Sequence, residues 1–341
     1  MEKAAELHRI IAPELTALLE ERYALLRQIE CLQPVGRRAL AAALGMGERV
    51  VRAQVDFLKE AGLIDFSPLG MTMTGDGQAI LPELSEYVRI LHGLAGLESG
   101  LAAALGLRLV IVIRGDSDAD AAVRRELGRA AAGVLRQHLG DNMTIAVSGG
   151  STMAQVADAI NFTASATTVV PARGGLGERV EYQSNTIAAG MANKLGGRYR
   201  LLHIPDGVSE EAMDVLVSHD LHLRDVSQLI RRADVLLCGI GRADAMALRR
   251  GMDPAMVERL KANGAAGESL GHYCALTGKV VHTTRSLGLR LEDLAGVKHV
   301  IAVAGGRQKA EAIVAVTAAG GQDILITDEA AAKAIQEIIK K

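Results

Sequence analysis

The chain has 341 residues, of which 49% are apolar and 23% charged, with 37 glycines; this is the make-up of a folded globular protein and excludes disorder as the main state. Three cysteines, Cys31, Cys238 and Cys274, form no C-x-x-C pair, which argues against a disulfide framework or a structural zinc site and for a reducing compartment. The formal charge of −2 exerts no global pull on a polyanion, so nucleic-acid binding must rest on a local patch.

The start, MEKAAELHRII, has no long apolar stretch, and no segment approaches 18 uncharged apolar residues. Neither a signal peptide nor a membrane span is expected, and the protein is expected to be cytoplasmic.

Leu15 to Leu32, with Leu18, Leu19, Leu25, Leu26 and Ile29 on one stripe, predicts a first helix ending near Gln33-Pro34. Arg37 to Leu44 predicts a short second helix, and Gly45 lets the chain turn. GERVVRAQVDFLKE predicts a third, with Val51, Val55 and Leu58 facing inward; DFSPLGMTM then reads as a two-stranded wing whose turn contains Ser67, Pro68 and Gly70. Arg49 and Arg52 share the exposed side of the third helix, with Gln54 further round, and Arg37 and Arg38 extend the basic patch. A helix with arginines near its N-terminus has the shape that enters a major groove, where Arg reads guanine and Gln reads adenine. Residues 1–92 hold 10 positive and 13 negative side chains, so the patch is local. Spacing alone leaves two readings, a DNA reader and a small helical accessory domain with solvated arginines. A specific reader usually needs two half-sites, which would imply a dimer or higher oligomer.

A change of texture near residues 90–100 divides the chain into an N-terminal domain, 1–92, and a larger domain, 93–341. Glu83 to Leu105 reads as one helix across this boundary. Beyond it, apolar runs at Leu109 to Ile113, Thr144 to Ser148, Thr167 to Val170, Arg200 to His203, Val235 to Cys238, Val300 to Val303 and Ile324 to Ile326 alternate with helical stretches. That pattern predicts an α/β domain whose parallel sheet is covered on both faces, with nucleotide-binding-like topology and ligands at the carboxyl ends of the strands.

Two strand-to-helix junctions carry the chemistry. TIAVSGGSTMAQ places Gly149, Gly150, Ser151 and Thr152 between a strand and a helix, where unpaired amides and two hydroxyls can cradle phosphate. It is neither the G-x-x-x-x-G-K-[ST] loop nor G-x-G-x-x-G, which disfavours nucleoside triphosphate hydrolysis and dinucleotide chemistry. VIAVAGGRQKAEA has the same logic, and Lys309 at the start of its helix is a cation whose unfavourable dipole a bound anion would offset. Arg173, Gln183, Arg249, Arg250 and Glu268 are further candidates, the carboxylate suiting sugar hydroxyls. The set suits a sugar carrying one or two phosphates.

Taken in order, PVGRRALAAALGMGERVVRAQVDFLKEAGLI, SGGSTM, YQSNTIA, YRLLHIPD, AAGESLGHY, GKVVHTTRSLGLRLEDL, AGGRQKAEAI and ILITDEAAA resemble the SorC-type family of bacterial sugar-binding transcriptional regulators over nearly the whole chain. The resemblance implies a winged helix-turn-helix on operator double-stranded DNA, followed by a domain akin to phosphosugar isomerases that binds a phosphorylated sugar without transforming it. It implies Gly149, Gly150, Ser151 and Thr152 as a phosphate cradle, and Arg173, Gln183, Arg249, Glu268 and Lys309 as the remaining effector contacts. Repression relieved by fructose 1,6-bisphosphate is what the glycolytic subgroup of the family implies, with a homo-oligomer, dimer or tetramer, no cofactor, no metal and no catalytic residue. Enzymes of the same fold carry an acidic and histidine motif after the GIG loop, whereas here Gly241 continues as Arg242-Ala243-Asp244-Ala245-Met246. An isomerase- or deaminase-like enzyme using Asp244 as general base is the alternative.

Overall fold

The computed structural model describes residues 7, 8, 10–175, 179–204, 206–208 and 210–340, in two compact units, Met1–Leu97 and Glu98–Lys341.

In the first unit, α1 (Pro13–Leu32), α2 (Arg37–Leu44) and α3 (Glu48–Glu60) precede the antiparallel wing of β1 (Ile64–Ser67) and β2 (Gly70–Met73). Pro13 opens α1 at a position where its missing N–H costs nothing. Gly45, at φ 63°, adopts the left-handed conformation that ends α2 and redirects the chain into α3. Tyr23, Leu25, Leu26 and Ile29 of α1 share a core with Leu40 of α2, Val51, Val55 and Leu58 of α3, and Ile64 and Met71 of the wing. The inward stripe of α3 is therefore the one its spacing predicts. The wing turns tightly through Pro68-Leu69, with Ser67 facing Gly70.

The single helix expected over Glu83 to Leu105 is two, α4 (Gly75–Leu91) and α5 (Leu94–Leu105). Gly93, at φ 65°, breaks it; the hydrophobic spacing continues across the break, which is why periodicity did not reveal it.

The second unit is built on a seven-stranded parallel sheet: β3 (Leu109–Ile113), β4 (Thr144–Val147), β5 (Thr168–Pro171), β6 (Arg198–Tyr199), β7 (Val235–Gly239), β12 (His299–Val303) and β13 (Ile324–Asp328), in the spatial order β3-β13-β12-β7-β4-β5-β6. All six pairings are parallel. Strands buried on both faces must be apolar throughout, and Ile145, Val147, Val235, Leu237, Ile301, Val303, Ile324 and Ile326 accordingly share one core with α6 (Ala121–His138), α7 (Ser151–Ala159) and α8 (Ser184–Leu195). The strand expected at Arg200 to His203 is absent, and the edge is formed by the two-residue β6 just before it. Its side chains are exposed, so no buried alternation marks it.

From β4 the chain proceeds outward through β5 and β6; from β7 it proceeds the other way through β12 and β13. The carboxyl ends of β4 and β7 therefore flank the topological switch point, where loops diverge and leave a crevice. Beside it stands a four-stranded antiparallel sheet, β8 (Gly241–Arg242), β9 (Ala265–Ser269), β10 (His272–Ala275) and β11 (Val280–Thr283), in the order β11-β10-β9-β8. The remaining helices are α9 (Glu210–His219), α10 (Leu221–Arg231), α11 (Ala243–Arg249), α12 (Pro254–Ala262), α13 (Ala310–Ala319) and α14 (Glu329–Ile339). Among the described residues no single helix is long and apolar enough to cross a membrane.

Candidate functional site

The first glycine loop lies at the switch point. Ser148 follows β4, and its amide donates to Leu237 O of β7 at 2.9 Å. Gly149 packs on the backbone of the segment before α8, where a Cβ would stand 2.8 Å from Tyr182 O; Gly150, at φ 118°, is the N-cap of α7. A glycine cap has no side chain to fold back on the helix, so the first-turn amides at Ser151 and Thr152 keep their hydrogen-bonding capacity, and the positive end of the dipole faces the crevice. Gly150 N itself donates to Tyr182 O at 2.9 Å, which places Gln183, the N-cap of α8, beside the loop.

The second glycine loop follows β12 and mirrors the first, with Gly306 at φ 96° before a 3-10 turn, Arg307–Lys309, that leads into α13. Its electrostatics differ. Asp328 Oδ2 already accepts from Gly306 N at 2.6 Å and from Ser117 N at 2.8 Å, while Asp118 Oδ2 receives Gln308 N at 3.4 Å. The expectation of equal logic in the two loops is therefore corrected: two amides of this loop already face carboxylates, and its distinctive cationic group is the Lys309 ammonium. Burial pulls the Lys309 pKa below the usual lysine value; Asp118 and Asp328 oppose the shift and Arg249 adds to it. Because β7 separates β12 from β4, the two loops stand two strand spacings apart, about 10 Å.

Consecutive helical residues differ in direction by about 100°, and the pair at the end of α11 uses that divergence. Arg249 is exposed and acts on Lys309, whereas Arg250 turns inward. Arg250 donates to Glu268 Oε1 at 2.9 Å and to Asp206 Oδ2 at 3.0 Å. Arg173, which follows β5, donates to the same Asp206 oxygen at 2.9 Å, to Thr284 O at 3.0 Å and to Leu270 O. Gly271 N completes the Glu268 site at 2.6 Å. The result is a row of alternating charges, Arg173, Asp206, Arg250 and Glu268, each side chain 4–7% exposed. Burial lowers the Arg173 pKa despite Asp206; burial also acts against Arg250, but Glu268 and Asp206 outweigh it and raise its pKa.

Gln183, Arg173, Glu268 and the 149–152 loop are thus linked through short contacts, with Ser184 Oγ donating to Arg173 O at 2.9 Å and Ser269 Oγ to Gly239 O at 2.9 Å. Arg249 and Lys309 form a second group on the β12 side. Sequence reasoning missed Asp206 and the inward role of Arg250; neither has a periodic signal, and only the helical phase of Arg249 and Arg250 could have separated the pair. The candidate base Asp244 is bound by Arg242, Nη2 to Oδ2 at 2.6 Å. Its own burial works against the negative charge, yet Arg242 and the Ala245 amide hold its carboxyl below the usual range.

A cavity of about 480 Å³ is lined by Arg173, His272, Thr283, Thr284, Arg285 and Leu289, among others. His272 Nε2 accepts from Leu291 N at 3.1 Å, so its proton sits on Nδ1, which faces Thr283 Oγ1 at 3.1 Å. Burial, then Arg173, pushes His272 down to about 4, leaving a neutral imidazole in its wall.

In the winged unit, Arg49 and Arg52 are exposed on α3 and make no hydrogen bond or ion pair among the described residues. Gln54 is placed differently: its Oε1 accepts from Arg22 Nε at 2.9 Å, and the same guanidinium lies 3.5 Å over the Phe57 ring. Arg37 pairs with Asp56 at 2.9 Å and lies 4.8 Å over Phe66, tying α2 to α3 and the wing. Arg38 makes an exposed pair with Glu48 at 3.2 Å.

Residues 90–337 match the sequence family described as "Putative sugar-binding domain", and residues 18–88 match "CggR N-terminal DNA binding domain". The chain is 44% identical over 336 residues to the central glycolytic genes regulator of Priestia megaterium, covering 98% of each chain. It is 38% identical over 335 residues to that of Bacillus subtilis, again covering 98% of each. A SorC family transcriptional regulator from Enterococcus faecalis superimposes with a TM-score of 0.66 at 39% identity, over 71% of this chain and 99% of that one. The full-length sorbitol operon regulator SorC from Klebsiella pneumoniae, at 19% identity, shares the fold with a TM-score of 0.67 over 91% and 95% of the two chains. With a DNA-binding unit ahead of a sugar-binding unit, and this identity along nearly its whole length, the chain belongs to the SorC family of sugar-binding transcriptional regulators, among the central glycolytic genes regulators.

Proposed function

We propose that this protein is a cytoplasmic repressor of central glycolytic genes whose hold on operator DNA is released by a phosphorylated sugar, fructose 1,6-bisphosphate. The observation that carries the sugar assignment is the pair of glycine loops two strand spacings apart across β7. One phosphate is held by the amides and hydroxyls of Gly149, Gly150, Ser151 and Thr152, where a helix N-terminus favours an anion. The other is held by Lys309 and Arg249, and a desolvated ammonium gains most from a dianion beside it. Between them Gln183, Arg173 and Glu268 meet the sugar hydroxyls.

On the DNA side, Arg49 and Arg52 enter the major groove and read bases, because they are the exposed arginines of α3 without a protein partner among the described residues. Arg38 contacts phosphate, Arg37 sets the angle between α3 and the wing, and Gln54 positions α3 through Arg22. Two half-sites call for a homo-oligomer, a dimer or a tetramer. The domain binds its sugar without turnover: the Asp244 carboxylate is already paired with Arg242 and is a poor base. No cofactor is required.

Effector and operator are coupled reciprocally, so the sugar must weaken DNA binding by the factor by which DNA weakens sugar binding. Calorimetric titration of fructose 1,6-bisphosphate into free protein and into the protein–operator complex measures both. Equal affinities in the two states would refute the repressor mechanism.

A further inference from the structure

The four buried charges of the Arg173–Asp206–Arg250–Glu268 row sum to zero, and one of them, Asp206, decides this. Its Oδ2 receives Arg173 at 2.9 Å and Arg250 at 3.0 Å, and its Oδ1 receives Gly174 N at 3.1 Å. This is the arrangement in which proteins hold a bound oxyanion, with two guanidiniums and a backbone amide converging on one group. Here the anion is part of the chain, and its side chain is 4% exposed. Arg250 has its second partner in Glu268, whose Oε1 also takes Gly271 N.

We propose that Asp206 is a selectivity residue of the effector site, an internal carboxylate that occupies the anion position between Arg173 and Arg250. The inference rests on the reading of this site as a phosphosugar site. Without Asp206, two guanidiniums would share one carboxylate, Glu268, which binds only Arg250, and the cluster would take any small dianion, free inorganic phosphate included. With Asp206 in place the cluster is neutral. The N–H groups left over on Arg173, together with the free oxygen of Glu268, match uncharged hydroxyls, which both donate and accept. Phosphate recognition is thereby confined to the two ends, the 149–152 loop and Lys309 with Arg249, and a ligand must carry hydroxyls between its phosphates to satisfy the middle. Asp206 is in this sense what makes the site read a sugar phosphate instead of phosphate alone.

The test compares the full-length wild type with Asp206→Ala, Asp206→Glu and Lys309→Ala, titrated with inorganic phosphate and separately with fructose 1,6-bisphosphate by isothermal calorimetry. Asp206→Ala, which vacates the anion position, should bind inorganic phosphate at least tenfold more tightly than wild type, and its unfolding temperature should climb more steeply with added phosphate. Asp206→Glu, which keeps the charge, should return phosphate affinity to the wild-type value. Lys309→Ala should lose the sugar and gain no phosphate affinity. A folded Asp206→Ala with unchanged phosphate affinity overturns the proposal, and so does a variant that fails to fold even at saturating phosphate, since the anion is claimed to replace the carboxylate. If the wild type does not bind the sugar, the effector assignment fails, while a phosphate gain in Asp206→Ala still stands.

Discussion

Gly239 and Ser148 are 91 positions apart in the chain, yet Gly239 N donates to Ser148 Oγ at 3.1 Å. The bond ties the end of β7 to the loop after β4, across the switch point of the sheet, and fixes the entry of the chain into Gly149-Gly150. A candidate anion loop is only as good as its preorganisation, because amides that must first be ordered bind more weakly. Ser148→Ala removes one such bond, about 1 kcal/mol. It should weaken fructose 1,6-bisphosphate binding by about fivefold in calorimetry and leave effector-free operator affinity alone. Unchanged sugar affinity would show that the loop is held by its other contacts.

The charge row predicts a stability cost with a definite sign. Arg250→Ala strands Asp206 with one guanidinium and Glu268 with only an amide, both carboxylates in the interior. Removing one partner from a buried ionic cluster typically costs about 3 to 5 kcal/mol. Chemical denaturation should show a loss of that order for Arg250→Ala and under about 1 kcal/mol for Arg249→Ala, whose side chain is exposed. Equal losses at the two positions would mean that their inward and outward placement is wrong.

His272 sets a pH dependence. Its folded pKa, pushed down by burial to about 4, lies below its unfolded value near 6.5. The unfolded chain therefore takes up a proton between these values while the folded chain does not, so stability is fully present above pH 6.5 and declines as the pH falls towards 4. The gap corresponds to about 3 kcal/mol. Urea denaturation at pH 7 and pH 4.5 should show a smaller difference for His272→Gln than for the wild type. An identical difference would mean that His272 keeps an ordinary pKa.

Much of this was legible in the sequence. The stripe Val51, Val55 and Leu58, and the two strand-Gly-Gly-helix junctions, follow from short-range patterning, and both appear where the pattern puts them. The antiparallel sheet of β8 to β11 had no such signature. AAGES, which contains Gly267, and HYCA are short and buried on most positions, so neither alternation nor length separates them from loop. The partners of each charge were out of reach for a different reason. Arg173 meets Asp206 across 33 positions and Thr284 across 111, and such pairings come from topology, which spacing does not encode.

The proposed function assigns base reading and positioning to different residues of the winged unit. Arg52→Ala, losing an exposed guanidinium with no protein partner, should lower operator affinity by at least tenfold with no change in thermal stability. Arg37→Ala, losing contacts to Asp56 and Phe66, should lower stability as well as affinity. Gln54→Ala should cost less DNA affinity than Arg52→Ala, since Gln54 faces Arg22. A larger loss at Gln54 than at Arg52 would reverse the assignment of the base-reading face.

The most direct measurement is fluorescence anisotropy of full-length protein on an operator selected from random duplex DNA, at fixed salt, titrated with fructose 1,6-bisphosphate and repeated with Lys309→Ala. The account predicts that wild type releases the operator as the sugar rises, and that Lys309→Ala binds the same duplex with unchanged affinity but is not released. Release of Lys309→Ala at the wild-type sugar concentration, or a wild type indifferent to the sugar, would contradict it.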